Sequence, residues 1–216
     1  MMMTRKSEPA AVERDRAAAR RRKIVTTARR LFIENGFHAT GVAQIATESG
    51  VAVGQIYRDF ASKEAIVASI SEADCIDFLA HDTLLREIDN GNIEAIWAWL
   101  RDFLDRGHAE SGILITEILA ESTRNPTIAT IFERSRRDVR STMLVALEAL
   151  APGEEHAARR MVLADLVLAL SLGLLQHRLM DEVGDTASVV ETALRIIRTE
   201  VSAMRAGVTD QLAPTT

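Results

Sequence analysis

The sequence is poor in residues that interrupt helices and in residues that cross-link chains. Only 4 prolines and 11 glycines occur in 216 residues, so long helices can run unbroken. Cys75 is the single cysteine. That excludes a disulfide within the chain and points to a reducing compartment, the cytoplasm. No apolar run reaches the roughly 20 residues that span a bilayer. The richest stretch, Met161 to Leu175, is shorter and contains Asp165, so no membrane association is expected. Met1 to Arg20 carry several charges and no apolar run, unlike a secretory leader. A Walker loop, a Gly-x-Gly-x-x-Gly turn, a His-Glu-x-x-His helix and a Gly-x-Ser-x-Gly elbow are all missing. No two histidines have metal-ligand spacing, and the carboxylates are scattered over helix surfaces. No enzymatic activity, metal or cofactor is therefore expected.

Hydrophobic residues make up 47% of the chain, enough for a substantial core. Ala, Leu, Arg and Glu dominate, and all are good helix formers. The expected fold class is all-α, with about nine helices. The net charge of −5 conceals an asymmetry. Residues 1–63 hold 12 Lys+Arg and 6 Asp+Glu, a net of +6, which leaves 14 and 25, a net of −11, for residues 64–216. A basic N-terminal third can dock on phosphate even in an acidic protein.

Residues 1–18 have no apolar period and are expected to form a flexible basic arm. Ile24, Ala28, Leu31 and Phe32 recur at helical spacing, predicting a helix over 19–35 that stops at Gly36. Two short helices, 42–49 and 53–60, flank Gly50. Ser62 is placed to cap a helix running to about Asp89. Further helices are expected over 93–107, 111–123, from Pro126 to Leu150, over 154–180 and over 186–205. Residues 208–216 form a loose tail. The domains predicted are thus the arm, a head over 19–65 and a body over 66–207.

The informative stretch runs from Ile45 to Tyr57. A helix-turn-helix crosses two short helices at a steep angle. The first needs a small residue where they approach, which Ala46 supplies. The turn needs a residue tolerating positive φ, which Gly50 supplies. Ile45, Val51 and Ile56 have the spacing of the apolar wedge between the helices. With Gly36-Phe37 before it and Tyr57-x-x-Phe60-x-x-Lys63-Glu64 after it, the sequence resembles the TetR family of bacterial regulators. The likeness covers Ile24 to about Ile70, through Ala28, Leu31-Phe32, Thr40, Gly54 and Ser62-Lys63-Glu64. Beyond Ile70 it is loose. The resemblance departs at Gly41 and Ala52, where the family usually carries hydroxyl residues, and at Val53, a place often basic.

That resemblance implies a dimeric, ligand-responsive regulator of transcription, most often a repressor released from its operator by a small molecule. Its DNA partner is a double-stranded, near-palindromic site. Candidate DNA contacts are Arg22, Thr40, Gln44, Val53, Gly54, Gln55, Tyr57, Arg58 and Lys63. Gln55 suits the N6/N7 edge of adenine and Arg58 the O6/N7 edge of guanine. Asp59 is a further polar residue of the recognition helix. By the resemblance Tyr57, Lys63 and Thr40 touch phosphate. The run Arg20-Arg21-Arg22-Lys23 is expected to lie on the DNA backbone or reach a minor groove.

The helix over 154–180 is apolar around most of its circumference, through Val162, Leu163, Leu166, Val167, Leu170 and Leu174. Such a helix must be buried on more than one side. One face is assigned to the protomer core and the other, with 186–205, to a homodimer. Candidate effector contacts are Phe78, Trp97, Phe103, Glu117, Met143 and His177. Each has a plainer reading as core or surface, as does Cys75. A rival function is a helical interaction module with a vestigial head, suggested by the missing hydroxyls at Gly41 and Ala52.

Overall fold

A computed structural model of the chain describes residues 8–105, 109–180 and 186–207, with the side chains of 8–11, 77–78 and 109–111 excepted. The expected tail over 208–216 lies outside the described residues. Among those described there are ten α-helices and one short 3₁₀ turn. The helices are α1 (Glu8–Ala39), α2 (Val42–Ser49), α3 (Val53–Asp59), α4 (Lys63–Leu79), α5 (His81–Asp89), α6 (Ile93–Asp105), α7 (Ala109–Ser122), α8 (Pro126–Leu150), α9 (Ala157–Met180) and α10 (Thr186–Arg205). The all-α expectation holds.

Helix α1 begins earlier than expected. From Glu8 the supposed flexible arm is helical. Its Ala, Glu and Arg residues are strong helix formers, and Pro9 falls in the first turn, where its missing N–H costs nothing. The helix breaks as predicted at Gly36, with φ 80° and ψ 162°. A second departure lies at Ala80. The single helix expected over 62–89 is two, α4 and α5, parted by Ala80 at φ 43°. The indole N–H of Trp99 donates to the carbonyl of Leu79 at 2.7 Å, meeting an acceptor that the break exposes. The long helix over 154–180 is also shortened at its start, since Glu154–His156 form the 3₁₀ turn.

The chain divides into two compact units. Among the described residues the first takes those up to Asp74 and adds Ile113–Glu133; the second holds those between Cys75 and Gly112 and those from Arg134 to Gly207. The head is therefore larger than the expected 19–65, because α7 and the start of α8 pack into its core. That core comprises Ile24, Ala28, Leu31, Phe32, Phe37, Ile45, Ile56, Phe60, Ile66, Val67 and Ile70, closed by Leu114, Ile118 and Ile128. Short helices such as α2 and α3 are marginal alone, so this burial is what holds them.

The second unit has its own core, centred on Ile96, Trp99, Leu100, Phe103, Met143, Leu147, Val167 and Ile197. The bend after α8 is held by Arg160, almost wholly buried, which donates to the carbonyls of Ala151 at 2.8 Å and Gly153 at 2.6 Å. Helices α9 and α10 bury one face, through Leu163, Val167, Leu174, Val190, Leu194 and Ile197. Their other face is exposed and apolar: Val162 is 70% accessible, Ile196 54% and Leu166 44%. Among the described residues no helix is long and apolar enough to cross a membrane.

Candidate nucleic-acid interface

Gly50 makes the turn between α2 and α3. It sits in the left-handed region at φ 63°, and its N–H closes α2 on the carbonyls of Ala46 and Thr47. Ile45 and Ile56 are fully buried between the helices, Ala46 is buried beside them and Val51 half-buried. The geometry is that of the expected helix-turn-helix. Neither Gly41 ahead of α2 nor Ala52 ahead of α3 makes a side-chain cap, as their chemistry dictates.

With Ile56 turned inward, α3 presents Val53, Gly54, Tyr57 and Arg58 outward, all exposed and on one stripe. Tyr57 is 54% accessible despite its ring. Gln55 and Gln44 are half-buried at the edge of this face, and Arg22 is exposed on α1. A methyl added at Gly54 would meet no atom of the head within 4 Å, so the backbone there is open to whatever lies in front of it.

Three expected DNA residues have other work. Thr40 is completely buried, and its hydroxyl donates to the carbonyls of Leu31 at 3.0 Å and Gly36 at 2.9 Å. Both acceptors lie on the last turn of α1 at its break, and the Leu31 carbonyl also accepts from the side-chain amide of Asn35 at 3.2 Å. Lys63 donates to the carbonyls of Phe37 at 2.7 Å and Thr40 at 3.1 Å, with its ammonium 3.9 Å from the centre of the Phe37 ring. Burial pushes that ammonium below the usual lysine range, opposed by Glu64 and Glu121. Both side chains brace the link from α1 to α2. Asp59, at the end of α3, is 10% exposed and bonded to Arg20, so it does not face a groove.

The link is held from a third side by α7. Glu117 accepts the N–H of Phe37 at 3.2 Å, and Glu121 Oε2 lies 2.6 Å from His38 Nε2. Glu64 accepts from the side-chain amide of Asn125 at 3.3 Å, and Ser62 accepts the N–H of Ala65 as the predicted cap of α4.

Residues 24–70 match the family model described as "Bacterial regulatory proteins, tetR family". Over this helix-turn-helix segment the chain is similar to the tetR family. Its relatives include the HTH-type transcriptional regulator UidR of Escherichia coli strain K12, 31% identical over 121 residues, which is 55% of this chain and 60% of UidR. The match thus spans about three-fifths of that relative's length. Among solved structures, Salmonella enterica GusR aligns with a TM-score of 0.60 at 24% identity, covering 87% of this chain and 96% of GusR. A regulator from Saccharomonospora viridis in complex with choline aligns with a TM-score of 0.64 at 21% identity, covering 84% and 96%. At these identities the structural likeness concerns the fold alone.

The expected effector contacts fall in different places. Trp97, Phe103 and Met143 are core residues of the second unit, with Phe103 stacked on Trp99 at 5.6 Å and Arg198 over Trp97 at 4.1 Å. His177 is exposed on α9. Glu117 belongs to the head's unit and caps Phe37. The side chain of Phe78 lies outside the described residues. Two hollows stand out. A void of about 10 Å³ sits in the head's unit among Phe32, Phe37, Leu114, Glu117, Ile118 and Ile128, room for about one water at most. An open groove runs along α9 and α10 between Val162, Leu166, Ile196 and Thr199.

Sequence reasoning missed the Arg20–Asp59 bond and the role of Glu117. A basic residue within the first helix and an acid closing the third carried a signal for the former. Nothing local marks Glu117, which lies 80 residues from its partner.

Proposed function

We propose that this chain is a sequence-specific DNA-binding regulator of transcription that works in the cytoplasm as a homodimer. The exposed stripe Val53, Gly54, Tyr57 and Arg58 carries this reading. It is a small, mostly uncharged face with an open backbone on a two-turn helix, backed by a rigid core. Such a face suits the major groove, where side chains read base edges and the nearby positive charge of the head supplies affinity. Arg22, Gln44 and Gln55 flank it as further contacts with double-stranded DNA. The apolar outer face of α9 and α10 supports dimerisation. A two-fold dimer reads a near-palindrome with two heads, their spacing fixed by the protein.

The regulator is a repressor whose operator affinity falls when a small molecule binds the body. A ligand shifts the two states only by its differential affinity for them. The choline complex of a structural neighbour supports a small organic effector.

The test is selection of sites from a randomised duplex library by the purified full chain at stated salt. Enrichment of a near-palindrome is expected. A folded protein that enriches nothing would displace this reading in favour of an interaction module with a vestigial head.

A further inference from the structure

Helix α3 ends on an acid. A carboxylate at a helix C-terminus opposes the helix dipole. A carboxylate on a DNA-reading helix is also repelled by phosphate. Asp59 suffers both disadvantages, and the structure shows what answers them. Arg20 of α1 donates from Nε to Oδ2 at 2.6 Å and from Nη2 to Oδ1 at 2.9 Å, a parallel two-pronged bond. Its neighbour Arg21 donates to the backbone carbonyl of Asp59 and lies with its guanidinium 4.1 Å from the centre of the Phe60 ring. The last residue of α3 is thus held by side chain and backbone at once, from two consecutive residues of α1. Both arginines precede Ile24, so the α1 half of the clamp lies outside the stretch that matches the family model, while Asp59 and Phe60 lie inside it.

We propose that Arg20 and Asp59 form a specificity-determining lock: the pair fixes the recognition helix and withholds the Arg20 charge from DNA phosphates. The proposal rests on the DNA-binding reading above. Two consequences follow from the bond. The angle at which α3 enters the groove is set by α1, through a planar fork that tolerates little rotation. The cationic run at 20–23 also contributes less to phosphate attraction than its formal charge suggests, because Arg20 is neutralised within the head. Arg20 and Asp59 act as positioning residues, since the bases are touched by α3.

The experiment titrates the full chain, as wild type, Asp59→Asn, Arg20→Ala and Arg20→Lys, with the selected operator and with a scrambled duplex of equal length. Salt is varied, and the melting temperature of each variant is recorded. Asp59→Asn frees Arg20. Its scrambled-duplex affinity is expected to rise and the salt slope to steepen by about one unit, the signature of one more phosphate contact. Its preference for the operator falls by about tenfold, comparable to losing one base readout. Arg20→Ala loses the same preference with no change in salt slope, and Arg20→Lys, which cannot fork, behaves likewise. A purely structural bond would lower the melting temperature without steepening any slope, and that result overturns the proposal. A flatter slope in Arg20→Ala, as for a free phosphate contact, also overturns it. If wild type prefers no sequence, the DNA-reading function fails, while the slopes on the scrambled duplex still decide whether Arg20 is withheld.

Discussion

Glu117 of α7 accepts the backbone N–H of Phe37 at 3.2 Å, just after α1 breaks at Gly36. The break takes away the helical acceptor, and Phe37 is buried, so water is a poor substitute. Removing the acceptor leaves a buried donor unmet, which costs about 1–3 kcal/mol. Glu117→Ala is expected to lose stability in that range by urea denaturation. Glu117→Gln keeps an acceptor oxygen and should lose less than half as much. Equal midpoints for wild type and Glu117→Ala would show that the bond does not form in solution.

The bond to Arg20 holds the Asp59 carboxyl below its usual range, with burial opposing it. A carboxyl that titrates lower in the folded than in the unfolded chain stabilises the fold above its unfolded value, about 3.9. The contribution is lost as pH falls through the folded value. The gap in melting temperature between wild type and Asp59→Asn should therefore be constant from neutral pH to about pH 5 and close below about pH 4. A gap that persists in strong acid would mean the pair contributes nothing as ions.

Gly50 and Gly54 should respond oppositely to alanine. Gly50 is at φ 63°, where a Cβ costs about 1–2 kcal/mol. Gly54 lies within α3 at an ordinary φ with open space around it, and alanine there favours the helix by about 0.5–1 kcal/mol. Gly54→Ala is expected to raise the melting temperature and to weaken operator binding, since its methyl stands before the DNA. Undiminished binding would mean that the α3 backbone does not come close to the groove.

Val162 is 70% exposed on the outer face of α9. If α9 and α10 form the proposed dimer, Val162→Glu should leave the protomer folded and shift it from dimer to monomer in sedimentation velocity. A variant that sediments as wild type would place the dimer contact elsewhere.

The elements set by local chemistry were legible in the sequence. Gly36, Gly50 and Ser62 each do what their side chains, or the lack of one, permit. The stripe Ile24, Ala28, Leu31 and Phe32 is buried as its spacing required. What could not be read depends on partners far along the chain. Ala80 is a strong helix former that leaves the helix, and Trp99, 19 positions on, bonds the carbonyl beside it. Thr40 and Lys63 have the chemistry of phosphate ligands, and only the break at Gly36 turns them inward to backbone carbonyls. Arg20 reads as part of a DNA arm because charge alone does not reveal a carboxylate 39 residues away.

The shortness of α3 limits how much the protein can know about a sequence. Seven residues span about 10 Å of axis, the rise of about three base pairs. Three base pairs hold roughly 6 bits, whereas singling out one address among a million or more competing sites takes roughly 20. In the proposed dimer two copies of α3 supply about 12 of those bits. The remainder must come from spacing between half-sites, from the deformability of the DNA and from contacts beyond α3, so the address is composed by the whole assembly and not spelled by one helix.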